Sequence, residues 1–338
     1  MRPFHKYSPV EQFWHKVLFK LSYYYEKRHG NPARFTAPAG DADQVSEAIY
    51  KQLTSDRPCM IARYGSTELY CLSNYLSIQK GEKNIRKFIS FEAEPWWWIP
   101  QRISNMRDYS GFFPLNEENI IRFCQMMMQD TAELDMLGSW LPKEKYLEKE
   151  LKGVQKVFLP YLEPYYASQP WTRALKNKKV VVVHPFAELI ESQYSSSREL
   201  LFENPDILPP FSLRTVKAVQ SLGGGDHVGF DSWFDALRWM EDEIDKKDYD
   251  ICIIGCGAYG FPLAAHVKRA GKKALHLGGA TQLLFGIKGN RWEDPMYGVK
   301  EWGLPQGFYP RLFNNHWIKA GQEFKPANAN QVEGACYW

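Results

Sequence analysis

The feature that most constrains the fold is a glycine-rich turn between two short apolar runs, within residues 250–292. Ile251 to Ile254 form a continuous apolar run of mostly β-branched residues, which predicts a fully buried strand. Three glycines follow at G-x-G-x-x-G spacing: Gly255, Gly257 and Gly260. A helix over Leu263 to Ala270 and a second strand over Ala274 to Leu277 complete a βαβ unit, a motif that binds phosphates at its first turn.

The chemistry of this turn favours an anion. Glycines let the backbone bend tightly and let a pyrophosphate approach, while the amide N–H groups and the positive end of the next helix attract negative charge. A nucleotide is therefore the natural ligand, with the three glycines cradling its diphosphate. The same glycines can instead serve only to pack the helix against the strand, and the spacing alone leaves both interpretations open.

The end of the second strand bears on which nucleotide binds. A nicotinamide dinucleotide site usually has an Asp or Glu there, roughly 20 residues past the first glycine, to hold the ribose hydroxyls. Here the strand ends in residues 276–279, His-Leu-Gly-Gly, with no carboxylate. Gln282, Lys288 and Arg291 follow instead, at the carboxyl end of a parallel strand where ligands bind. This set favours a phosphate-rich ligand other than a dinucleotide and predicts residues that neutralise its charge.

A second strand-to-helix transition carries a charged pair. Residues 59–63, Cys-Met-Ile-Ala-Arg, read as a buried strand that ends at Arg63 and runs into a turn containing Gly65, Ser66 and Glu68. The arginine can bind phosphate with two parallel hydrogen bonds, and the carboxylate can hold a divalent cation against a diphosphate. An internal Arg63–Glu68 ion pair is the alternative, and these residues alone do not decide between them.

Five runs read as strands, near residues 59, 180, 214, 251 and 274, and they alternate with helices. This order predicts an α/β fold with a Rossmann-like, doubly wound, mainly parallel sheet. The predicted division is an N-terminal amphipathic helix and linker over 1–40, a main domain over 41–320 and a C-terminal tail over 321–338. Residues 81–169 lack the rhythm of parallel strands and are predicted to form a helical insertion.

The carboxyl ends of parallel strands meet at one edge, so residues far apart in sequence should share a rim there. His184 and Glu188 follow one strand and are candidates for general acid and base catalysis. A single histidine after a strand is more often a structural hydrogen-bonding group, which leaves its role open. Asp226 and His227 would lie on the same rim, but adjacent residues on extended backbone point apart.

Composition excludes some partners. The net charge of +3 over 338 residues is too small to favour a nucleic-acid binder. No apolar run is long enough to span a membrane, and we expect a cytoplasmic protein. Residues 9–28 predict an amphipathic helix with several lysines, which can lie on the anionic inner face of a membrane. More often such a helix docks on its own protein or on a second copy, as in a homo-oligomer.

One sequence motif resembles a known family. Residues 60–69, Met-Ile-Ala-Arg-Tyr-Gly-Ser-Thr-Glu-Leu, are similar to the R-F-G-D-G-E-L signature of the GT-D-type bacterial glycosyltransferases. Residues 253–292 also resemble GT-D-like proteins encoded among surface-polysaccharide genes, so the resemblance covers roughly residues 42–80 and 178–295. It implies a Rossmann-like fold, a nucleotide-sugar donor such as a UDP-hexose, and a divalent metal near an Asp-x-Glu motif.

The sequence departs from that family where the metal would bind. The Asp-x-Glu motif becomes Ser66-Thr67-Glu68, so the first carboxylate is missing and Glu68 remains the metal candidate. One carboxylate and a diphosphate can still hold Mg²⁺ or Mn²⁺, since these ions keep several waters. A cation-independent variant would instead stabilise the leaving diphosphate with Arg63, Lys288 or Arg291 and a helix N-terminus.

Together these features predict a glycosyltransferase that moves a hexose from a nucleoside diphosphate, most simply UDP, to a glycan or lipid-linked acceptor in surface polysaccharide biosynthesis. Two other classes remain open. An NAD-type oxidoreductase would explain the glycine spacing but needs the missing ribose-binding carboxylate. A non-catalytic protein of polysaccharide assembly would bind the nucleotide sugar without transferring it, and it fits the absent Asp.

Overall fold

A parallel β-sheet forms the centre of the protein. The computed structural model describes residues 7–30, 34–221, 229–325 and 336–338. Within these residues the sheet has seven strands in the order β3-β2-β1-β7-β6-β4-β5, all parallel. Their bounds are β1 (Cys59–Ala62), β2 (Met136–Ser139), β3 (Gln155–Phe158), β4 (Lys179–His184), β5 (Ser212–Lys217), β6 (Ile251–Ile254) and β7 (Lys273–His276).

Helices cover both faces of this sheet. They are α1 (Pro9–His29), α2 (Ala42–Thr54), α3 (Ser66–Lys80), α4 (Ile85–Ile89), α5 (Pro100–Asp108), α6 (Glu117–Thr131), α7 (Ala187–Ser197), α8 (Trp233–Asp245), α9 (Gly260–Arg269), α10 (Thr281–Leu284), α11 (Asn290–Glu293) and α12 (Val299–Trp302). A second, two-stranded sheet joins β8 (Ile287–Lys288) to β9 (Ile318–Lys319). None of the described helices is both long enough and apolar enough to cross a membrane.

Strand β4 shows why the sheet is covered on both sides. Val181 and Val183 pack into one hydrophobic cluster with α3, α6, α8 and α9, whereas Val180 and Val182 pack into another with α2 and α7. Successive side chains of a strand point to opposite faces, so a continuous apolar run needs an apolar layer on each side. All four valines are fully buried. The prediction of a doubly wound α/β fold is confirmed.

The five predicted strands are present, and two more come from the segment expected to be a helical insertion. Helices α4, α5 and α6 fill its first part, but β2 and β3 follow and extend the sheet beyond β1. Each has only four residues, and β3 is an edge strand that begins with the exposed Gln155 and half-buried Lys156. Runs this short give no periodic signal, so the pairing of β2 with β1 and of β3 with β2, rather than local pattern, defines these strands.

Leu137 of β2 is fully buried beside β1, so truncation of its side chain should strongly destabilise the protein. We expect Leu137→Ala to lower the free energy of unfolding by about 2–5 kcal/mol, because it leaves a cavity in the core. The matched change Leu200→Ala, at a side chain that is 52% exposed, should alter it by less than about 0.5 kcal/mol. Urea denaturation of both variants measures this, and equal small losses would contradict a core position for β2.

Candidate functional site

A cleft with a volume of about 190 Å³ lies at the carboxyl edge of the sheet. It is formed by the turns that follow β1, β4, β6 and β7, together with the segment after β5. The structure brings nine of the predicted site residues to its wall: Arg63, Gly65, Ser66, Glu68, His184, Gly255, Gly257, Gln282 and Arg291. Loops from distant parts of the sequence therefore meet at one edge, as expected for an open parallel sheet.

Arg63 is the most telling residue of this wall. Its guanidinium stacks on the ring of Trp140 at 4.8 Å, and the indole N–H of Trp140 donates to the Tyr64 carbonyl at 3.0 Å, which fixes the ring. Within the described chain, Arg63 forms no hydrogen bond and no ion pair; in particular, the Arg63–Glu68 ion pair considered above is not found. Burial lowers the pKa of Arg63 from its ordinary value. A desolvated cation with unused donors on a cleft wall is suited to an anionic ligand.

Glu68 lies at the N-terminus of helix α3. It belongs to the first turn of the helix, where negative charge is favoured, and its side chain is buried against Gly65. A side chain at Gly65 would overlap the Glu68 carboxylate, so the glycine allows the carboxylate to fold back over the backbone. Ser66 and Thr67 occupy the preceding positions and also line the cleft. The N-terminus of α3 thus places one carboxylate beside backbone N–H groups that have no partner within the helix.

The glycines of the turn after β6 lie in different surroundings. Gly257 lies on the cleft with φ +59, in the left-handed region, and a 3₁₀ turn from Gly257 to Tyr259 leads into α9. Gly260 does not line the cleft. A Cβ there would lie 2.1 Å from Cε1 of the buried His276 ring, so Gly260 allows α9 to pack against β7. Gly260 therefore has the packing role, whereas Gly257 lies where the predicted diphosphate site requires a glycine.

His184 is buried where β4 ends, and it faces the cleft as a neutral ring. Its Nδ1 accepts a hydrogen bond from the Phe186 backbone N–H at 3.0 Å, so the neutral tautomer carries its proton on Nε2. Burial lowers the pKa of His184 to about 3. The ring can therefore donate a hydrogen bond to a ligand, but it is a poor general base at neutral pH.

Three other predicted site residues lie elsewhere. Glu188 forms an exposed ion pair with Lys217 at 2.7 Å, because α7 has already turned away from the cleft after Pro185 and Phe186. Lys288 belongs to the small second sheet, and its Nζ lies 5.6 Å from the Phe313 ring centre. Gly260 packs as described above. Asp226 and His227 lie outside the described residues.

Gln282 has a positioning role rather than a charge-neutralising one. Its amide nitrogen donates to the carbonyls of Ile287, Lys288 and Tyr337 at 3.3, 3.2 and 3.1 Å. This fully buried side chain therefore ties β8 to the C-terminal residues. Its Oε1 has no hydrogen-bond partner within the described chain. Since the amide donors are already used, only this oxygen is left for a further polar group.

Sequence reasoning missed the aromatic part of the wall. Residues 336–338, assigned above to a C-terminal tail, pack into the cleft: Tyr337 lies so close to Gly279 that a Cβ there would be 2.1 Å from its ring. The Arg291 guanidinium lies 4.6 Å from the Tyr337 ring centre and donates to the Cys336 sulfur at 2.8 Å. The other aromatic residues of the described lining are Tyr109, Trp140, Phe186, Tyr259 and Trp338. The high aromatic content is the one sequence signal that points to it.

The described part of the cleft wall offers few ligands for a metal held by the protein alone. Glu68 is the one carboxylate among the described residues that line it, and it shares the wall with the Arg63 and Arg291 cations. No cluster of three His, Cys, Asp or Glu side chains suited to a metal occurs in the part of the chain described. Mg²⁺ is commonly held by one or two carboxylates together with substrate phosphates and water, so Glu68 would be the protein ligand of a metal that a diphosphate brings with it. The arginines and the backbone amides can bind a diphosphate without a metal.

Packing of Gly260 on His276 predicts a specific double-mutant result. Gly260→Ala should lower the free energy of unfolding by about 1–3 kcal/mol, because the new methyl group overlaps the ring. In a His276→Ala background the same change should be close to neutral, since the space is then empty and alanine favours a helix. Urea denaturation of the four proteins gives the coupling energy. A Gly260→Ala protein of unchanged stability would contradict the packing role.

The buried neutral His184 predicts a pH-dependent stability difference between wild type and His184→Asn, whose amide oxygen can still accept the Phe186 N–H. Below its unperturbed pKa of 6.5 the unfolded histidine binds a proton that the folded ring, with a pKa of about 3, does not. The contribution of the neutral His184 ring to the free energy of unfolding is therefore complete above pH 6.5 and is lost as the pH falls toward 3. The difference in unfolding free energy should shrink by up to about 1.4 kcal/mol per pH unit from pH 6 to 4. A difference that stays constant would contradict this assignment.

The chain shows no detectable similarity to known proteins. No family model, no curated protein and no solved structure matches this chain. Its chemistry therefore has to be inferred from the geometry described above. That geometry is a cleft with two arginines, one carboxylate, a neutral histidine and aromatic walls, placed where two helix N-termini meet.

Proposed function

We propose that this protein is a glycosyltransferase that binds a nucleoside-diphosphate sugar in the cleft and transfers the sugar to a hydroxyl acceptor. The observation that carries the proposal is Arg63, a half-buried guanidinium without a hydrogen-bond or ion-pair partner in the described chain, stacked on Trp140 at the cleft wall. Partial desolvation of such a group is costly unless a ligand uses its donors. A diphosphate offers the matching acceptors, with two parallel hydrogen bonds from one guanidinium.

The diphosphate would lie between Arg63, Arg291 and the two helix N-termini. The turn at Gly257 and the first residues of α3 present backbone N–H groups to the same space. Helix dipoles add positive potential at both points. The side chains of the described lining include two guanidinium groups and one carboxylate, so their summed charge is positive before a ligand binds. These features support binding of a doubly charged phosphate group without a metal ion.

Departure of the diphosphate would be the step that the cleft accelerates. In the transfer, the acceptor oxygen forms a bond to the anomeric carbon while the bond from that carbon to the phosphate oxygen breaks. The electron pair of the broken bond goes to the diphosphate, where Arg63 and the amides stabilise the developing charge. The hydroxyl proton goes to Glu68, the one carboxylate of the described wall. His184 donates its Nε2–H to the ligand and keeps one orientation because Phe186 holds its Nδ1.

The aromatic walls suit the rest of such a donor. Tyr259 stacks on Trp233 at 4.6 Å, which fixes its ring at the edge of the cleft, while Tyr109, Tyr337 and Trp338 offer further apolar surface. Aromatic rings bind the flat base of a nucleotide and the apolar faces of a sugar. A uracil base and a hexose are the simplest occupants. A glycan or lipid-linked acceptor in surface polysaccharide assembly would then approach from the open side of the cleft.

Titration with UDP, with EDTA present, tests the binding half of the proposal. We expect wild type to bind UDP, and Arg63→Gln to weaken this binding about 10- to 100-fold, because charge-assisted hydrogen bonds to phosphate are lost. Arg214→Gln, at an exposed arginine on an edge strand, is the matched control and should leave the affinity unchanged. Glu68→Gln should reduce sugar transfer from UDP-hexoses about 100- to 10,000-fold without weakening UDP binding.

The same measurements separate the proposal from its rivals. Calorimetric binding of NAD in place of UDP would identify a dehydrogenase and overturn the proposal. Tight binding of a UDP-hexose with no UDP released over a panel of sugar and lipid-linked acceptors would instead identify a binding module. Equal UDP affinity in wild type and Arg63→Gln would remove the observation on which the proposed site depends.

A further inference from the structure

Helix α1 has an apolar face that the described chain leaves uncovered. The helix is capped at its start, where Ser8 and Glu11 exchange hydrogen bonds, and it packs on the protein through one side only. On that side the His15 ring stacks on Trp97 at 4.0 Å, and Leu18 is buried in a small cluster with Phe88. The rest of its surface carries seven of the twelve exposed large hydrophobic side chains found in the described residues.

Five of these seven side chains form a stripe. At about 100° per residue, they fall within a sector of roughly 100°, next to the packed side. They are 44% to 65% exposed: Val10, Phe13, Trp14, Leu21 and Tyr24. Single exposed apolar residues are ordinary on a protein surface, whereas a contiguous stripe along one helix marks an interaction surface.

Three lysines form a row along the edge of this stripe. Lys16, Lys20 and Lys27 project within roughly 40° of one another, directly beside Phe13 and Tyr24. All three are exposed, and Lys20 and Lys27 lie 5.9 and 4.9 Å from the ring centres of Tyr24 and Tyr23. The helix is therefore divided lengthwise into a packed side, an apolar stripe and a cationic row.

We propose that α1 docks the protein on a lipid surface that carries anionic headgroups. The stripe would enter the boundary between headgroups and acyl chains, while the lysine row would lie among the anionic headgroups. Trp14 and Tyr24 combine an apolar ring with a polar group and therefore suit this boundary. The proposal rests on the sectors of α1 alone and does not depend on the transfer reaction proposed for the cleft.

Charge and size favour lipid over a second copy of the chain. A stable protein–protein interface uses roughly 20–30 residues on each side, and the stripe offers five exposed side chains on one helix. Its long edge is lined by three like charges, which attract anionic lipid and give no complementary partner in an identical helix. A lipid surface requires neither a large area nor a matching shape.

Sedimentation of the full chain with vesicles tests this proposal. We expect binding to vesicles of phosphatidylcholine with phosphatidylglycerol, with much weaker binding to phosphatidylcholine alone and at high salt. The triple change Lys16→Gln, Lys20→Gln and Lys27→Gln should lower the partition coefficient about 100-fold, since each lysine contributes about fivefold. The double change Phe13→Ser and Trp14→Ser should lower it about tenfold or more.

Matched changes elsewhere provide the controls. The exposed residues Leu200 and Met296, changed to serine, should leave the partition coefficient unchanged, as should glutamine at the exposed lysines Lys80, Lys83 and Lys152. Circular dichroism and UDP affinity of the α1 variants should match wild type, so a failure here is separate from a failure at the cleft. Vesicle binding that the α1 variants leave intact, or no binding to anionic vesicles, would overturn the proposal. So would a lipid-free dimer that the Phe13 and Trp14 changes dissociate.

Discussion

A parallel sheet sends every strand in the same direction, and the site of this protein depends on that constraint. Each strand of the sheet ends at the same edge, so each helix that follows a strand begins there with unpaired amide groups. The turn after β1 brings Arg63 and the start of α3, and the turn after β6 brings Gly257 and the start of α9. Positive potential at this edge is thus a property of the topology, and the arginines add to it.

Burial sets how the charged groups of the cleft can act. Arg63 stands between Trp140 and the ligand space, where water cannot fully solvate it and described neighbours do not pair with it. Interactions with an anion are strengthened in such a place, because the effective dielectric constant is low. His184 responds to the same burial by losing its proton, and it becomes a fixed donor rather than a base. The same desolvation therefore leaves Arg63 as a cation and His184 as a neutral hydrogen-bond donor.

Much of this arrangement can be predicted from sequence. Arg63, Glu68, His184 and Gly257 each follow an apolar run that is long or regular enough to be recognised as a strand, so their common edge follows from topology. Strands β2 and β3 could not be predicted in this way, because their short runs become strands only through pairing, β2 with β1 and β3 with β2. Tyr337 could not be predicted either, because its position depends on Gly279 and on the Gln282 amide far away in the chain. Gly260 matches a phosphate-binding spacing, yet its neighbour His276 gives it a packing role.

The cations of the described wall are both guanidiniums, and His184 at the end of β4 is uncharged at neutral pH because burial lowers its pKa. A guanidinium does not release its proton in water at any physiological acidity, and peptide dipoles do not titrate. The proposed attraction of this cleft for an anion would therefore stay constant with pH, whereas that of a pocket built on lysine or imidazolium would vary. Any change in affinity between mildly acidic and mildly alkaline solution would then follow the ionisation of the bound phosphate rather than that of Arg63, Arg291 or His184.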